Sequence, residues 1–383
     1  MAETIRATTP VPAHTNSAVD GYAFAASGYD RSNGTTFQLA GRAAAGHPLD
    51  EAVAAGRACR ILTGAVLPGG VDTVAMQEDC DVGSDGSILV PPGLKTGANV
   101  RRAGEDVAAG AVLIETGNTL TPQDLAALAS VGRASVTCHR RLSVAIVSTG
   151  DEVRRPGTGD LLPGQVFDAN APMLAALARL TGAEVSDLGI WPDDATSVRE
   201  RLAEAARTFD VVLTSGGASR GDEDHMSAAL AALGSRHFWE LAIKPGRLMM
   251  LGQIGSTPVV GLPGNPVAVF VCFLMYVRPM LLRLGGGPFA EPRRWPAIAE
   301  FGFKGRKTGR REFWRGRLVA RADGRLGAEK YARDGSGLIS GLRFAEGLID
   351  IPEDAGDVAE GDVIQFIPFS EFGILSPAEV RPR

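Results

Sequence analysis

Three glycine-containing segments have the composition of an anion-binding pocket, and each directly follows a hydrophobic stretch. They are residues 148–152 (Ser-Thr-Gly-Asp-Glu), residues 214–224, which begin Thr-Ser-Gly-Gly, and residues 262–266 (Leu-Pro-Gly-Asn-Pro). Glycine lets backbone N–H groups approach an anion, and the N-terminus of a following helix adds partial positive charge. One such segment is usually only a turn, but three at the same edge of a sheet favour a pocket for a phosphorylated ligand.

Carboxylates lie inside two of these segments. Residues 222–224 are all acidic and stand where a helix is predicted to begin, so the helix dipole alone could account for them. Asp151 and Glu152 directly follow a strand, where no helix dipole stabilises their negative charge. Carboxylates repel an anionic ligand unless a divalent cation intervenes, and Mg²⁺ is usually held by one or two carboxylates plus phosphate oxygens. The spacing therefore leaves a metal-bridged phosphate site and simple helix capping as alternatives.

Basic residues occur near the same segments. Lys244 and Arg247 flank a Pro-Gly turn and could neutralise an anionic substrate or lie on an ordinary solvated turn. Residues 304–317 hold seven Lys or Arg side chains, most of which we expect on a solvated face. Strand alternation predicts that one of Phe313 and Trp314, inside this run, is in the core. The chain contains no HExxH, Walker A or GxGxxG motif, so the corresponding metalloprotease, ATPase and dinucleotide-binding functions lack their residues.

The composition limits the class of protein. The 383 residues are 45% apolar and 22% charged, and the formal net charge of -5 argues against a broad basic surface for nucleic acid or anionic membranes. The longest apolar run, residues 267–277, is too short to span a bilayer and predicts a buried helix. No apolar signal region occurs in the first fifteen residues, and the four cysteines form no CxxC pair. These features predict a cytoplasmic, multidomain protein.

Hydrophobic periodicity divides the chain into regions of different fold class. Five short strands separated by turn signals over residues 34–115 predict a small β-domain. Thr121, followed by proline, is expected to cap a helix that ends near Gly132. Residues 142–284 alternate strands with helices, which predicts a parallel sheet covered on both faces. Residues 295–368 again predict strands. The predicted fold is multidomain, α/β plus β, with a central α/β sheet domain, a small β-domain inserted before it and a C-terminal β-barrel-like domain.

The ordered motifs resemble a known family. Residues 16–23, Asn-Ser-Ala-Val-Asp-Gly-Tyr-Ala, resemble the N-S-A-M-D-G-Y-A signature of the molybdopterin molybdenumtransferases, the MoeA and gephyrin E-domain family. Matching segments then follow in family order, and the likeness runs from about residue 14 to Phe369. They are residues 61–65, 103–106, 148–152, 215–217, 242–246 and 261–266. The resemblance implies a central domain of molybdopterin-binding type and four domains: 1–19 with 108–139, 20–107, 140–286 and 289–383.

The resemblance also implies a reaction and its participants. It implies the final step of molybdenum cofactor synthesis, a Mg²⁺-dependent insertion of molybdate into the dithiolene of adenylylated molybdopterin with release of AMP. It further implies an elongated homodimer with the active site between subunits. We expect transient contacts with the molybdopterin adenylyltransferase and with acceptor molybdoenzymes, and no nucleic-acid or membrane partner.

The resemblance also implies roles for individual residues, at the positions that match the family's motifs. Glu152 and Asp224 would hold the cation or the anhydride, and Lys244 would take phosphate or molybdate with the backbones of residues 215–217 and 263–265. Asp20 and Thr63 would come from the first β-domain of the other subunit. The implied catalytic residues are Asp20, Thr63, Glu152, Asp193, Asp224 and Lys244. The implied substrate-binding residues are Ser215, Gly216, Gly217, Pro263, Gly264, Asn265, Arg247, Arg311 and Ser336.

Departures from the family pattern keep other functions open. This chain begins almost at the signature, where the family usually has a leading segment, so we expect an N-terminally short member. Glu240 stands where the family commonly has Lys, which would weaken molybdate binding unless a cation such as Arg220 or Arg247 substitutes. One alternative is a catalytically weak paralogue that binds molybdopterin or the cofactor, or acts as a scaffold. Another is a related nucleotide hydrolase acting on a different pyrophosphate, against which both β-domains and the 16–23 signature argue.

Overall fold

The computed structural model describes residues 1–216 and 225–375. The chain forms two compact units, of which the first is Met1–Cys138 and the second begins at His139. The predicted site residues Gly217 and Asp224 lie outside the described residues.

The first unit is built on a six-stranded sheet. Its strands follow the order β6-β3-β5-β4-β8-β7, and two short ladders, β1–β10 and β2–β9, accompany it. Along β3, Phe24 packs into one core with Phe37 and Ile88, while Ala23 packs into a second core on the opposite face with Ile61. The five strands predicted over residues 34–115 are present. The strands are β1 Ile5–Arg6, β2 Asn16–Ser17, β3 Gly21–Phe24, β4 Thr35–Ala43, β5 Arg57–Ile61, β6 Thr73–Met76, β7 Asp81–Val82, β8 Ile88–Val90, β9 Val100–Arg101 and β10 Val112–Ile114.

The predicted helix of this unit is confirmed as α1, Pro122–Ser130. The Thr121 hydroxyl accepts the backbone N–H of Asp124, whose carboxylate accepts the Thr121 N–H, so the two residues form a capping box. At the other end, Gly132 has a φ of 77° and its N–H bonds back into the last turn. The helix therefore begins and ends where its local sequence predicts.

A second six-stranded sheet forms the α/β domain, in the order β14-β11-β15-β19-β18-β16. The first four strands run parallel, but β18 runs antiparallel to both of its neighbours, β19 and β16, so the sheet is mixed and the expectation of a parallel sheet was wrong. The physical reason is the two-residue connection between β18 and β19, which permits only a hairpin. The elements are β11 Ser143–Thr149, β12 Val153–Arg154, β13 Val166–Phe167, α2 Asn170–Arg179, β14 Glu184–Trp191, α3 Ala195–Thr208, β15 Val211–Ser215, α4 His225–Leu233, β16 Ser235–Glu240, β17 Ile243–Lys244, β18 Leu248–Ile254, β19 Thr257–Leu262, α5 Pro266–Cys272 and α6 Arg278–Leu284.

A long helix follows β19. The π-helical residues Phe273–Val277 join α5 to α6, so Pro266–Leu284 is continuous over 19 residues. Within the described part of the chain, this is the helix long and apolar enough to cross a membrane by length and composition. Every residue from Val267 to Leu274 is buried, because α5 packs into the core of the α/β domain. The predicted burial is confirmed, although the helix is longer than the apolar run that predicted it.

The C-terminal domain is a five-stranded β-barrel. Strands pair in the order β21-β22-β20-β24-β23, and β23 closes the ring by pairing with β21. β17 pairs in parallel with β21, which joins this barrel to the α/β domain. The elements are β20 Trp295–Ala299, β21 Arg311–Ala320, β22 Leu326–Lys330, α7 Ile339–Phe344, β23 Gly347–Ile351 and β24 Val363–Pro368.

Strand β21 is buried on both faces. Trp314 points into the barrel core, whereas Phe313 joins the core of the α/β domain, so the expectation that only one of them is in a core was too restrictive. The expected solvated basic face is wrong for Arg306 and Arg315, which are also buried. Arg306 donates to the backbone carbonyls of Pro352 and Arg310, and these bonds hold its guanidinium at the end of the barrel.

Candidate functional site

A cavity of about 650 Å³ lies between the α/β domain and the barrel. Its walls come from the turn after β17, the segment between β19 and α5, and the segment after β22. We call it the cationic cavity because four basic side chains line it. These are Lys244, Arg247, Arg315 and Lys330, and the wall also includes Gly216, Pro263, Gly264, Asn265 and Ser336.

Lys244 is fixed by the pairing of β17 with β21. That register places Lys244 opposite Glu312, and Lys244 Nζ lies 3.1 Å from Glu312 Oε2. The same carboxylate oxygen accepts the indole N–H of Trp314 at 2.8 Å. The Glu312 side chain is only 5% exposed, whereas that of Lys244 is 48% exposed. A buried anchor therefore holds one side of the ammonium and leaves the rest accessible to an anion.

Arg315 organises the opposite wall of the cationic cavity. Its guanidinium donates to the backbone carbonyls of Leu338 and Arg333, both at 3.0 Å, and lies over the ring of Tyr331. Burial lowers the pKa of Arg315 from its ordinary value. These contacts hold residues 331–338, the segment that contains Ser336. The sequence-based site residues did not include Arg315, although alternation along β21 places it on the face that carries Phe313.

Arg311 lies elsewhere on the same face of β21. Arg311 Nε donates to Asp350 Oδ1 at 2.6 Å, and Asp350 is almost fully buried. Arg311 lines a different cavity of about 590 Å³, together with Tyr276 and Arg294. The structure thus brings Lys244 and Ser336 together but places Arg311 apart from them.

A third cavity, of about 540 Å³, adjoins the cationic cavity. It includes Glu152, and we call it the carboxylate cavity. It shares Gly216, Gly264 and Asn265 with the cationic cavity, so the two have a common wall. Its other polar lining residues are Ser148, Thr149, Asp168, Asn170 and Ser215.

Glu152 folds back over Gly150 at the edge of the carboxylate cavity. Gly150 has a φ of 127°, a backbone conformation that favours glycine, and a Cβ there would lie 2.5 Å from Glu152 Oε2. The Glu152 carboxylate is exposed and makes no hydrogen bond or ion pair with any residue in the described ranges. Such a carboxylate can accept a cation. Within residues 1–216 and 225–375, no cluster of three or more His, Cys, Asp or Glu side chains has metal-binding geometry.

Two other predicted site residues lie in the first unit. The Asp20 Oδ1 atom accepts both the backbone N–H and the hydroxyl of Thr63 at 2.7 Å. These hydrogen bonds hold the pKa of Asp20 below its ordinary value. Gly21 is required beside it, because a Cβ there would lie 1.9 Å from the carbonyl oxygen of Ala75. The chain therefore presents Asp20 and Thr63 as one preformed unit.

Asp193 and Glu240 complete the predicted positions. Asp193 follows β14, and its Oδ1 lies 3.7 Å from His225 Nε2, but it lines neither the cationic nor the carboxylate cavity. Glu240 lies at the end of β16, 3.2 Å from the guanidinium of Arg247. The unusual acidic residue at position 240 is thus balanced by a cation that lines the cationic cavity.

The α/β domain matches a molybdopterin-binding family model, so the chain is a multidomain protein of that class. Three family models match in order: the MoeA N-terminal region (domain I and II) over residues 1–132, the probable molybdopterin binding domain over 145–283, and the MoeA C-terminal region (domain IV) over 298–369. The chain belongs to the MoeA family of molybdopterin molybdenumtransferases. The family inferred from the motifs, its enzyme class and its place in molybdenum cofactor biosynthesis are confirmed.

Relatives cover nearly the whole chain. A molybdopterin molybdenumtransferase of Haemophilus influenzae is 37% identical over 370 residues, which are 96% of this chain and 91% of that protein. Molybdopterin molybdenumtransferase 2 of Mycobacterium tuberculosis is 34% identical over 93% of this chain and 88% of its own length. The crystal structure of a molybdopterin biosynthesis MoeA protein from Pyrococcus horikoshii matches with a TM-score of 0.82 at 27% identity, over 96% of this chain and 91% of that one.

Proposed function

We propose that this chain inserts molybdate into the dithiolene of adenylylated molybdopterin and releases AMP. The observation that carries the proposal is the common wall of the two cavities, formed by Gly216, Gly264 and Asn265. A polyanionic substrate in the carboxylate cavity and an anion in the cationic cavity would therefore both lie against these three residues. Molybdate held in the cationic cavity would then lie beside that substrate.

The residues of the cationic cavity offset the repulsion between two anions. Lys244 supplies an ammonium that Glu312 holds in place, and Ser336 supplies a hydroxyl on the segment that Arg315 anchors. Groups fixed before the reaction stabilise developing charge without reorganising. Backbone N–H groups of the glycine-containing segments would add further donors to phosphate.

The residues present also fit a Mg²⁺ ion. Mg²⁺ is usually bound by one or two carboxylates plus substrate phosphates, and the exposed carboxylate of Glu152 at a cavity edge suits that arrangement. Asp224, outside the described residues, would be the second carboxylate. When bound, the ion would neutralise the phosphoanhydride and favour departure of AMP.

The proposal extends to a cytoplasmic homodimer in which Asp20 and Thr63 come from the other copy. The preformed pair in the first unit supports it, since two hydrogen bonds from Thr63 already orient the Asp20 carboxylate. It also includes transient contacts with the molybdopterin adenylyltransferase and acceptor molybdoenzymes. Mixing an Asp20→Ala variant with a Lys244→Ala variant tests the shared site, because mixed dimers would regain one intact site. Recovery no greater than the sum of the two separate activities would contradict it.

Release of AMP tests the reaction itself. The purified chain would be given adenylylated molybdopterin and Mg²⁺, with and without molybdate, and the product then offered to a cofactor-free molybdoenzyme. Molybdate-dependent AMP release with restored enzyme activity is expected. Tight binding without turnover would instead indicate a binding or scaffold protein. Molybdate-independent cleavage of unrelated dinucleotides would indicate a hydrolase.

A further inference from the structure

Asn170, at the start of α2, joins two of the three glycine-containing segments. Its side-chain amide donates to Ser215 Oγ at the end of β15 and to the Gly264 carbonyl between β19 and α5, both at 2.7 Å. Asn170 is only 8% exposed. A single buried amide therefore connects two segments that both line the carboxylate cavity.

The third segment is tied to the same point through Asp168. The Ser148 hydroxyl donates to Asp168 Oδ2 at 2.6 Å, while Asp168 Oδ1 accepts the backbone N–H groups of Asn170 and Ala171. Arg155 lies 3.6 Å from the Asp168 carboxylate and compensates its buried charge. The N-terminus of α2 is thus the place where all three segments meet.

We propose that Asn170 is a positioning residue, which sets the separation of the Ser215 and Gly264 segments for the adenylylated substrate. The inference rests on the proposed function, because it concerns how that binding site is held. A carbonyl such as that of Gly264 only accepts hydrogen bonds, so the joining group must donate to it. An amide NH₂ has two donors in one plane and can reach both segments at once.

The other end of the same amide supports a positioning role. Asn170 Oδ1 is buried and has no hydrogen-bond partner within the described part of the chain. An unsatisfied buried acceptor is destabilising, but the flipped amide would be worse, because its oxygen would then oppose the carbonyl oxygen of Gly264. The two donors determine the orientation of the side chain, and both are directed at cavity walls. The lost hydrogen bond of Asn170 Oδ1 is then the consequence of joining these two walls, which is expected if their separation matters for substrate binding.

The test compares Asn170→Ala and Asn170→Asp in the full chain. The Asp variant keeps the shape of the side chain but opposes the Gly264 carbonyl with a carboxylate oxygen. At pH 8 we expect both variants to bind adenylylated molybdopterin about 10- to 100-fold more weakly, as measured by fluorescence titration without turnover. The apparent KM for molybdate should change less than about threefold, because Lys244 and Ser336 are untouched.

The pH profile separates a positioning role from a structural one. Burial near the carboxylates of Asp168 and Glu152 raises the pKa of the introduced carboxyl, and Arg155, paired with Asp168, is the nearby cation. Protonation at pH 6 would restore a donor toward Gly264. Relative to the wild type, binding by the Asp variant should recover at least about fivefold between pH 8 and pH 6, and binding by the Ala variant should not.

Thr257→Val is the matched control. The Thr257 hydroxyl is buried and also donates to a backbone carbonyl, that of Ala206 at 2.8 Å, but it lines neither cavity. It should lower the unfolding temperature without changing substrate affinity. Wild-type affinity from Asn170→Ala, or equal losses for both substrates together with a lowered unfolding temperature, would overturn the inference. AMP release by the wild type is measured separately, so failure of the proposed function and failure of the positioning role give different results.

Discussion

Arg315→Met tests whether the cationic cavity depends on the segment that this guanidinium holds. The change removes two hydrogen bonds of 3.0 Å to the carbonyls of Leu338 and Arg333. A hydrogen bond from a charged donor contributes about 1.5–3 kcal/mol, and water can replace part of it at this loop. A net loss of about 3 kcal/mol would lower the equilibrium constant between the ordered and disordered segment roughly a hundredfold. We therefore expect the KM for molybdate to rise by at least about tenfold.

Two measurements check this expectation. The KM for molybdate is obtained from AMP release, and hydrogen exchange of residues 331–338 reports whether the segment has lost its anchor. Arg317→Met is the matched control on the same strand, because Arg317 pairs with Glu329 at 2.7 Å with both side chains more than one-third exposed. Such a pair contributes at most about 1 kcal/mol, so its KM should change less than about threefold.

Arg311→Met is the variant that could refute this reasoning. Arg311 binds Asp350 and lines the separate 590 Å³ cavity, so its replacement should leave the KM for molybdate nearly unchanged. A larger rise in KM for Arg311→Met than for Arg315→Met would show that position 311 forms the oxyanion site. Unchanged exchange at residues 331–338 in Arg315→Met would show that the guanidinium does not hold that segment.

Three further changes test other parts of the molecule. Glu240→Gln removes the carboxylate that pairs with Arg247, so the KM for molybdate should fall about two- to fivefold at low salt. This decrease in KM should vanish at high salt, and a rise in KM would contradict the assigned charge balance. Thr121→Ala removes a helix cap and should cost about 1 kcal/mol in urea unfolding, with no change in KM. Arg140 lowers the pKa of Asp210 in the folded protein. The carboxylate therefore stabilises the fold fully above its pKa in the unfolded chain, 3.8, and this stabilisation is lost as the pH falls below that value. The unfolding free energy of Asp210→Asn should therefore decline less steeply below pH 4 than that of the wild type, and parallel curves would contradict the assignment.

Local signals account for the elements that the sequence predicted well. The helix after Thr121 has a cap at one end and Gly132 at the other, and both act within a few residues. Strand β3 had no such signal and was not predicted. All four of its residues are buried, so it lacks alternation, and it is defined by its partners β5 and β6. Pairing between distant segments cannot be read from four residues of sequence.

The site residues also differ in how far local sequence could predict their positions. Glu152, Lys244 and Gly264 lie at ends of strands, where local sequence already indicates a loop, and the structure places them on two adjoining cavities. Arg311 and Arg315 share one face of β21, so alternation treats them alike. Their separation depends on where β17 pairs with β21, a contact between two domains. The sequence could therefore indicate a basic strand but not which of its arginines lines which cavity.

The partners of the cations indicate how tightly the cationic cavity can hold an oxyanion. Lys244 is paired with Glu312 and Lys330 with Asp334, so a bound oxyanion would share these ammonium groups with carboxylates. Sharing lowers the affinity relative to unpaired cations, since part of each charge is already compensated. In the proposed reaction molybdate is a substrate that must leave for the dithiolene, and a site that held it very tightly would lower the ground state as much as the transition state. Paired cations therefore suit transfer better than storage, and the buried Glu312 carboxylate is the group that sets this balance for Lys244.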